Sequence, residues 1–114
     1  MKLFKYSVMT LLGFMLATTA AEADSRLKNI LNTGVLRVGT TGDWNPMTMK
    51  DPATNSYKGY DIDMMTSLAK DLGVKLNLVP VTGPNRIPFL LTNKVDLLVA
   101  SLAITPERAK QVDF

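Results

Sequence analysis

Apolar positions change their spacing several times along this 114-residue chain. Residues 6–17 form a mostly apolar run that is short for a bilayer span. Leu27, Ile30 and Leu31 then recur at helical spacing after Ser25, a good capping residue, and Gly34 stands where helices stop. Residues 35–39 are β-branched and apolar and read as a strand. Asp51-Pro52 and Asn55-Ser56 are turn signals inside residues 47–60 and predict a small hairpin there. Asp61 is the expected cap of a helix whose buried face carries Ile62, Met65, Leu68, Ala69 and Leu72, and Gly73 ends it. A second strand is expected over 75–81 and a helix over 84–92, with Asn93 as its C-terminal cap. Residues 95–100 are almost wholly apolar, as in a strand covered on both faces. Thr105-Pro106 opens a last helix by the cap-then-proline rule.

Strand and helix alternate three times. This predicts an α/β fold with a mostly parallel sheet and helices on both faces. Ligands of such sheets bind at the carboxyl ends of the strands. The loops at 40–44, 82–86 and 101–108 all fall on that edge.

The front of the chain does not belong to this pattern. Lys2 and Lys5 precede the apolar run, and Ala21-Glu22-Ala23 follows it with the small residues of a cleavage site. Residues 1–23 therefore read as a secretory signal peptide, with residues 24–114 as the mature domain. A membrane anchor is the weaker reading, because the run is short and ends in a cleavage motif.

Composition narrows the chemistry. Lys and Arg total 13 against 10 for Asp and Glu, a formal net charge of +3 with no basic run, which argues against nucleic acid. Histidine and cysteine are both absent. That removes a thiol nucleophile, an imidazole base, the usual zinc ligand sets and a lipid-bearing cysteine after the signal. No phosphate-cradling GxxxxGK occurs, and no cofactor is expected. The expected product is a protein free in the periplasm.

Candidate chemistry gathers on the predicted binding edge. Arg108 lies in the first turn of a helix, where its charge opposes the helix dipole. With Ser101 and the free N–H groups of that turn it would make an anion site suited to a carboxylate. The plainer reading is a salt bridge to a surface acid. Arg86 repeats the pattern one helix earlier, and two arginines suggest a ligand with more than one negative group. Trp44 would wall the ligand site or cover the core. Asp43 would accept from an ammonium or close the Gly42 turn. Asp61-x-Asp63 is a helix cap with a first-turn acid rather than a metal pair.

Three segments carry a family resemblance. Gly59-Tyr60-Asp61-Ile62-Asp63-Met64 with Leu68-Ala69 and Leu72, Ile104 to Arg108 with Asp113-Phe114, and Val35-Leu36-Arg37-Val38-Gly39-Thr40 resemble the family 3 extracellular solute-binding proteins, the amino-acid receptors of ABC importers. The resemblance implies a type II periplasmic-binding-protein fold of two lobes closing on a ligand, here an incomplete N-terminal lobe with the second lobe missing. It implies a small amino-acid ligand and a membrane permease as partners. It assigns the ligand's α-carboxylate to Arg108, Ser101 and the backbone of Ala103, where many members carry a hydroxyl residue. It places Trp44 against the ligand. Thr41 stands where many members have an aspartate, which weakens the case for a cationic ligand, and Gly83 stands where many have an aromatic. Asn85-Arg86-Ile87-Pro88 resembles the segment that serves a second carboxylate, which favours an acidic amino acid. Ser25-Arg26-Leu27 and Thr40 to Pro46 also resemble cyclohexadienyl dehydratase, an exported enzyme on the same fold. A lyase is therefore the alternative to a non-catalytic receptor.

Overall fold

The structure is a computed structural model that describes residues 18–114, with side chains from Ser25 onward. The basic start and apolar run of the expected signal peptide lie outside the described residues.

Helix α1 (Thr18–Thr33) leads into strand β1 (Val35–Thr40). Ser25 is inside α1 rather than at its start, because the alanine-rich stretch before it is itself a good helix former. Only Ile30 of the predicted apolar stripe is buried; Leu27 and Leu31 are about half exposed. After β1 come β2 (Asp43–Trp44), β3 (Thr48–Lys50) and β4 (Tyr57–Lys58), paired antiparallel in that order. Then follow α2 (Tyr60–Leu72), β5 (Lys75–Pro80), α3 (Arg86–Leu91), β6 (Leu97–Leu98) and α4 (Pro106–Ala109).

The main sheet is parallel with order β5-β1-β6. The crossover from β1 to β5 moves one way, and the next, from β5 to β6, returns past β1. Parallel crossovers are right-handed almost without exception, and by that rule two crossovers in opposite directions put α2 and α3 on opposite faces. The order therefore reverses between β1 and β6, and the crevice at such a switch point is where open α/β sheets place ligands.

Leu36 and Val38 alternate toward one face of β1 and form a core with Ile30, Met65 and Ala69. Gly39 points the other way; a Cβ there would meet Leu98 Cδ2 at 2.7 Å and Val81 Cγ1 at 3.1 Å. A side chain at Gly39 would have to displace the end of the Leu98 side chain. Residues 97–99 are only half-buried, against the expectation of a strand covered on both faces. β6 is an edge of the sheet, and a groove of about 420 Å³ runs beside it, lined mainly by residues 97–102 and 112–114.

The start of α2 differs from the sequence reading. The cap is Gly59, not Asp61, at φ 134°. A Cβ at Gly59 would fall 2.4 Å from the Met47 carbonyl oxygen, so only glycine fits. The first N–H groups of α2 donate outward, Tyr60 to the Pro46 carbonyl (3.2 Å) and Asp61 to that of Met47 (2.9 Å). With the cap taken, Asp61 turns into the fold. It is buried at 7% exposure, and desolvation pushes its carboxyl above the ordinary range.

Candidate functional site

Loop 41–47, which leaves β1, is braced at its base. The Thr40 hydroxyl donates to that of Thr48 at 2.9 Å, and both residues are fully buried. Asp43 and Trp44 were expected in an irregular loop, but they form β2 and pair with Met49 and Thr48. The Gly42 turn is closed by the backbone, with Lys50 N–H donating to the Gly42 carbonyl at 2.8 Å. The exposed Asp43 carboxylate has no hydrogen-bond partner among the described residues. Trp44 is 59% exposed, so it covers no core. Thr41 is half-buried at the mouth of this loop.

The loop after β5 is tight. Asn85 Oδ1 accepts from Thr82 N–H at 2.7 Å, and Asn85 N–H donates to the Thr82 carbonyl. From its end Arg86 reaches sideways. Nε donates to the Gly83 carbonyl at 3.2 Å, and Nη1 to the carbonyls of Ala100 at 2.8 Å and Ser101 at 3.5 Å. Arg86 thus joins the loop after β5 to the loop after β6.

That second loop carries the predicted carboxylate site. Ser101 is exposed and has φ 50°. Thr105 caps α4 as predicted, its hydroxyl accepting from Arg108 N–H at 3.3 Å. The Ala109 N–H goes to the Thr105 carbonyl. The expected set of free N–H groups is therefore mostly used within α4, which is only four residues long. What remains for an anion is the guanidinium of Arg108, the Ser101 hydroxyl and the backbone of Ala103. Arg108 folds back so that Nη1 donates to the Ala103 carbonyl at 2.7 Å.

Neither Arg86 nor Arg108 has an acidic partner among the described residues. Among the described residues the salt bridge is Arg37–Asp96, on β1 and at the entry to β6, toward the opposite end of the sheet. Two guanidinium groups thus stand on the carboxyl edge, each fixed by neutral carbonyls and each keeping its charge uncompensated. Such an edge attracts anions and holds the donors in place before one arrives. Sequence reasoning missed the three-carbonyl contact of Arg86, which joins residues 14 and 15 positions apart. The local signals that this arginine matters were its place at the start of a helix on the binding edge and the Asn85-Arg86-Ile87-Pro88 segment.

No group of histidine, cysteine, aspartate or glutamate that could hold a metal occurs among the described residues. No helix among them is long and apolar enough to cross a membrane.

Comparison with known proteins bears on the fold and the family. Residues 36–114 match the model of the bacterial extracellular solute-binding proteins, family 3. Cyclohexadienyl dehydratase of Pseudomonas aeruginosa is 36% identical over 99% of this chain, and the chain spans 42% of that relative's length. Among solved structures, an ancestral cationic amino-acid solute-binding protein superposes with a TM-score of 0.73 at 48% identity, covering 77% of this chain and 38% of that one. The arginine-bound form of domain 1 of the T. maritima arginine-binding protein gives a TM-score of 0.67 at 36% identity, covering 72% of this chain and 64% of that one. The fold is that of a lobe of a type II periplasmic binding protein, and the chain belongs to the family 3 bacterial extracellular solute-binding proteins.

Proposed function

We propose that this chain supplies the carboxylate-binding lobe of a periplasmic amino-acid receptor that delivers its ligand to the permease of an ABC importer. The observation that carries this reading is the pair of carbonyl-anchored guanidinium groups, Arg86 and Arg108, on the carboxyl edge of a parallel sheet, neither of them ion-paired among the described residues. Arg108 takes the α-carboxylate with the Ser101 hydroxyl and the Ala103 backbone. Trp44, exposed on β2, packs on the ligand from the other side of the switch point. Thr41 lines the mouth, and the Asp43 carboxylate, without a partner among the described residues, is available to an ammonium group. Domain 1 of the arginine-binding protein carries arginine as an isolated domain, which supports testing ligand binding on the chain itself.

The ligand class we propose is an acidic amino acid. Nη2 of Arg86 has no hydrogen-bond partner among the described residues, while Nε and Nη1 hold the guanidinium rigid. That nitrogen is the donor for a second carboxylate. Export follows from the signal peptide, and N-terminal sequencing of the secreted protein is expected to start at Asp24-Ser25-Arg26.

Calorimetry with a panel of amino acids tests the reading. Charge-assisted hydrogen bonds contribute about 1.5–3 kcal/mol, so in a two-lobe protein that contains this lobe Arg108→Ala is expected to weaken binding at least about tenfold with folding intact. Arg86→Ala is expected to weaken glutamate or aspartate more than glutamine. Unchanged affinity in Arg108→Ala removes the carboxylate site. An equal loss for charged and neutral ligands in Arg86→Ala removes the acidic ligand.

A second reading has its own support in the 36% identical cyclohexadienyl dehydratase that matches nearly the whole chain. A lyase of that kind removes water and carbon dioxide from a cyclic carboxylate, and the same Arg108 site would hold its carboxylate. Turnover of such a compound by a protein that contains this lobe, with no binding of free amino acids, would favour the enzyme.

A further inference from the structure

We propose that Arg86 is a positioning residue: it straps the loop after β5 to the loop after β6 and holds Ser101 in the backbone conformation that faces the ligand carboxylate. The proposal rests on the carboxylate site described above and deepens it. Ser101 has φ 50°, a region that residues with a side chain rarely adopt outside glycine, asparagine and aspartate. Serine has no intrinsic preference for it, so something must hold it there. No Ser101 side-chain hydrogen bond to a described residue does so. The Arg86 guanidinium does, through the carbonyls on either side of the turn: Nη1 lies 2.8 Å from the Ala100 oxygen and 3.5 Å from the Ser101 oxygen.

The other end of the strap is equally fixed. Nε is bonded to the Gly83 carbonyl, and residues 82–85 are closed by the Asn85 side chain and backbone. Arg86 is half-buried and has no acidic partner among the described residues, so Nε and Nη1 are given to backbone carbonyls while Nη2 stays open toward the ligand side. A planar fork holds donors on separate nitrogens in fixed directions and so can fix carbonyls of two loops at a set spacing, whereas the three donors of lysine radiate from one nitrogen on a flexible stem and hold that spacing poorly. The β6 edge offers little other support, since residues 101, 103 and 104 are exposed.

The test uses two variants of the full chain, without ligand and then with it. Arg86→Lys keeps the charge and loses the fork; Arg86→Ala loses both. In the ligand-free protein, NMR reads the Ser101 intraresidue amide-to-Hα cross-peak, which is strong only when φ is positive. We expect it strong in the natural chain and lost in both variants, while the amide signals of β1 stay in place. With glutamate and glutamine as the probes, Arg86→Lys is expected to weaken both, each by about tenfold, because a displaced loop misplaces the shared α-carboxylate donors. A strong Ser101 cross-peak retained in both variants overturns the strap. A cross-peak lost in the variants with no amino acid bound even by the natural chain leaves the strap standing and overturns the ligand reading instead.

Discussion

Asp96 is 5% exposed at its side chain and meets Arg37 through a two-pronged contact. Arg37 Nη2 donates to Oδ1 at 2.6 Å and Nε to Oδ2 at 3.1 Å, while the Arg37 backbone N–H adds a third bond at 2.9 Å. Burial raises the Asp96 carboxyl, but the hydrogen bonds and charge of Arg37, with the charge of Arg26, outweigh it and hold it below the ordinary range. A carboxyl lowered on folding contributes stability above its unfolded pKa of about 3.9 and loses it as pH falls through the folded value. Asp96→Asn should therefore cost about 2 kcal/mol at pH 7, by the usual worth of hydrogen bonds to a charged group. Urea unfolding at pH 7 and again below the carboxylate range checks this. The gap between the natural chain and the variant is expected to narrow in acid; a gap of unchanged size would mean that the pair acts by shape and not by charge. Asp61 runs the other way, since desolvation raises its carboxyl, so stability falls as pH rises through its range. Only the comparison with Asp96→Asn isolates the Arg37 contribution from that opposing response.

At the scale of elements, the Thr40–Thr48 hydroxyl pair ties the end of β1 to β3, and so sets where β2 carries Asp43 and Trp44. Both side chains are fully buried, so removing one hydroxyl leaves the other desolvated and unpaired. Thr48→Val is expected to destabilise by about 2 kcal/mol, and the double change with Thr40→Val to recover part of that loss, since replacing both partners removes the orphan. Thermal melts of the two variants decide; a double variant less stable than the single one would show that packing, not the bond, is at stake. The pattern of strands and helices behind this arrangement was largely legible. Residues 35–39 and 75–81 have strand composition, Ile62 to Leu72 have helical spacing, and Thr105-Pro106 marks its helix as the structure has it. β2 was not legible, because two residues, one charged and one aromatic, show no period. The cap at Gly59 was missed because Asp61 looks like the better cap, and only the approach of the Met47 carbonyl shows why glycine is needed. Arg26 bonding to Val95 and Asn93, and Arg37 to Asp96, join residues 59 to 69 positions apart, beyond any local pattern. The candidate site divides the same way. Arg108 stood out because it breaks a local rule, but the consumption of its neighbours' N–H groups within α4 depends on geometry that spacing does not carry.

For the whole molecule, the decisive feature is that all the proposed contacts come from one open edge. Trp44 and Ser101 are exposed, and the groove of about 420 Å³ beside β6 is lined by neither arginine. Exposure weakens each charge-assisted contact, because water competes for the same donors and the effective dielectric is high. Three such contacts at about 1.5–3 kcal/mol give roughly 5–9 kcal/mol before losses. Association alone costs about 4 kcal/mol or more, and micromolar affinity needs about 8 kcal/mol net. Residues 24–114 alone should therefore bind an amino acid with a Kd in the millimolar range, through the same Arg108 that a closed site would use. Chemical-shift titration of this segment with glutamate is the suitable measurement, since it reads weak binding residue by residue. Shifts centred on residues 101–108 that saturate near millimolar ligand are the expected outcome. Saturation near one micromolar would show that this edge alone desolvates its ligand, and shifts confined to the groove beside β6 would move the site away from the arginines altogether.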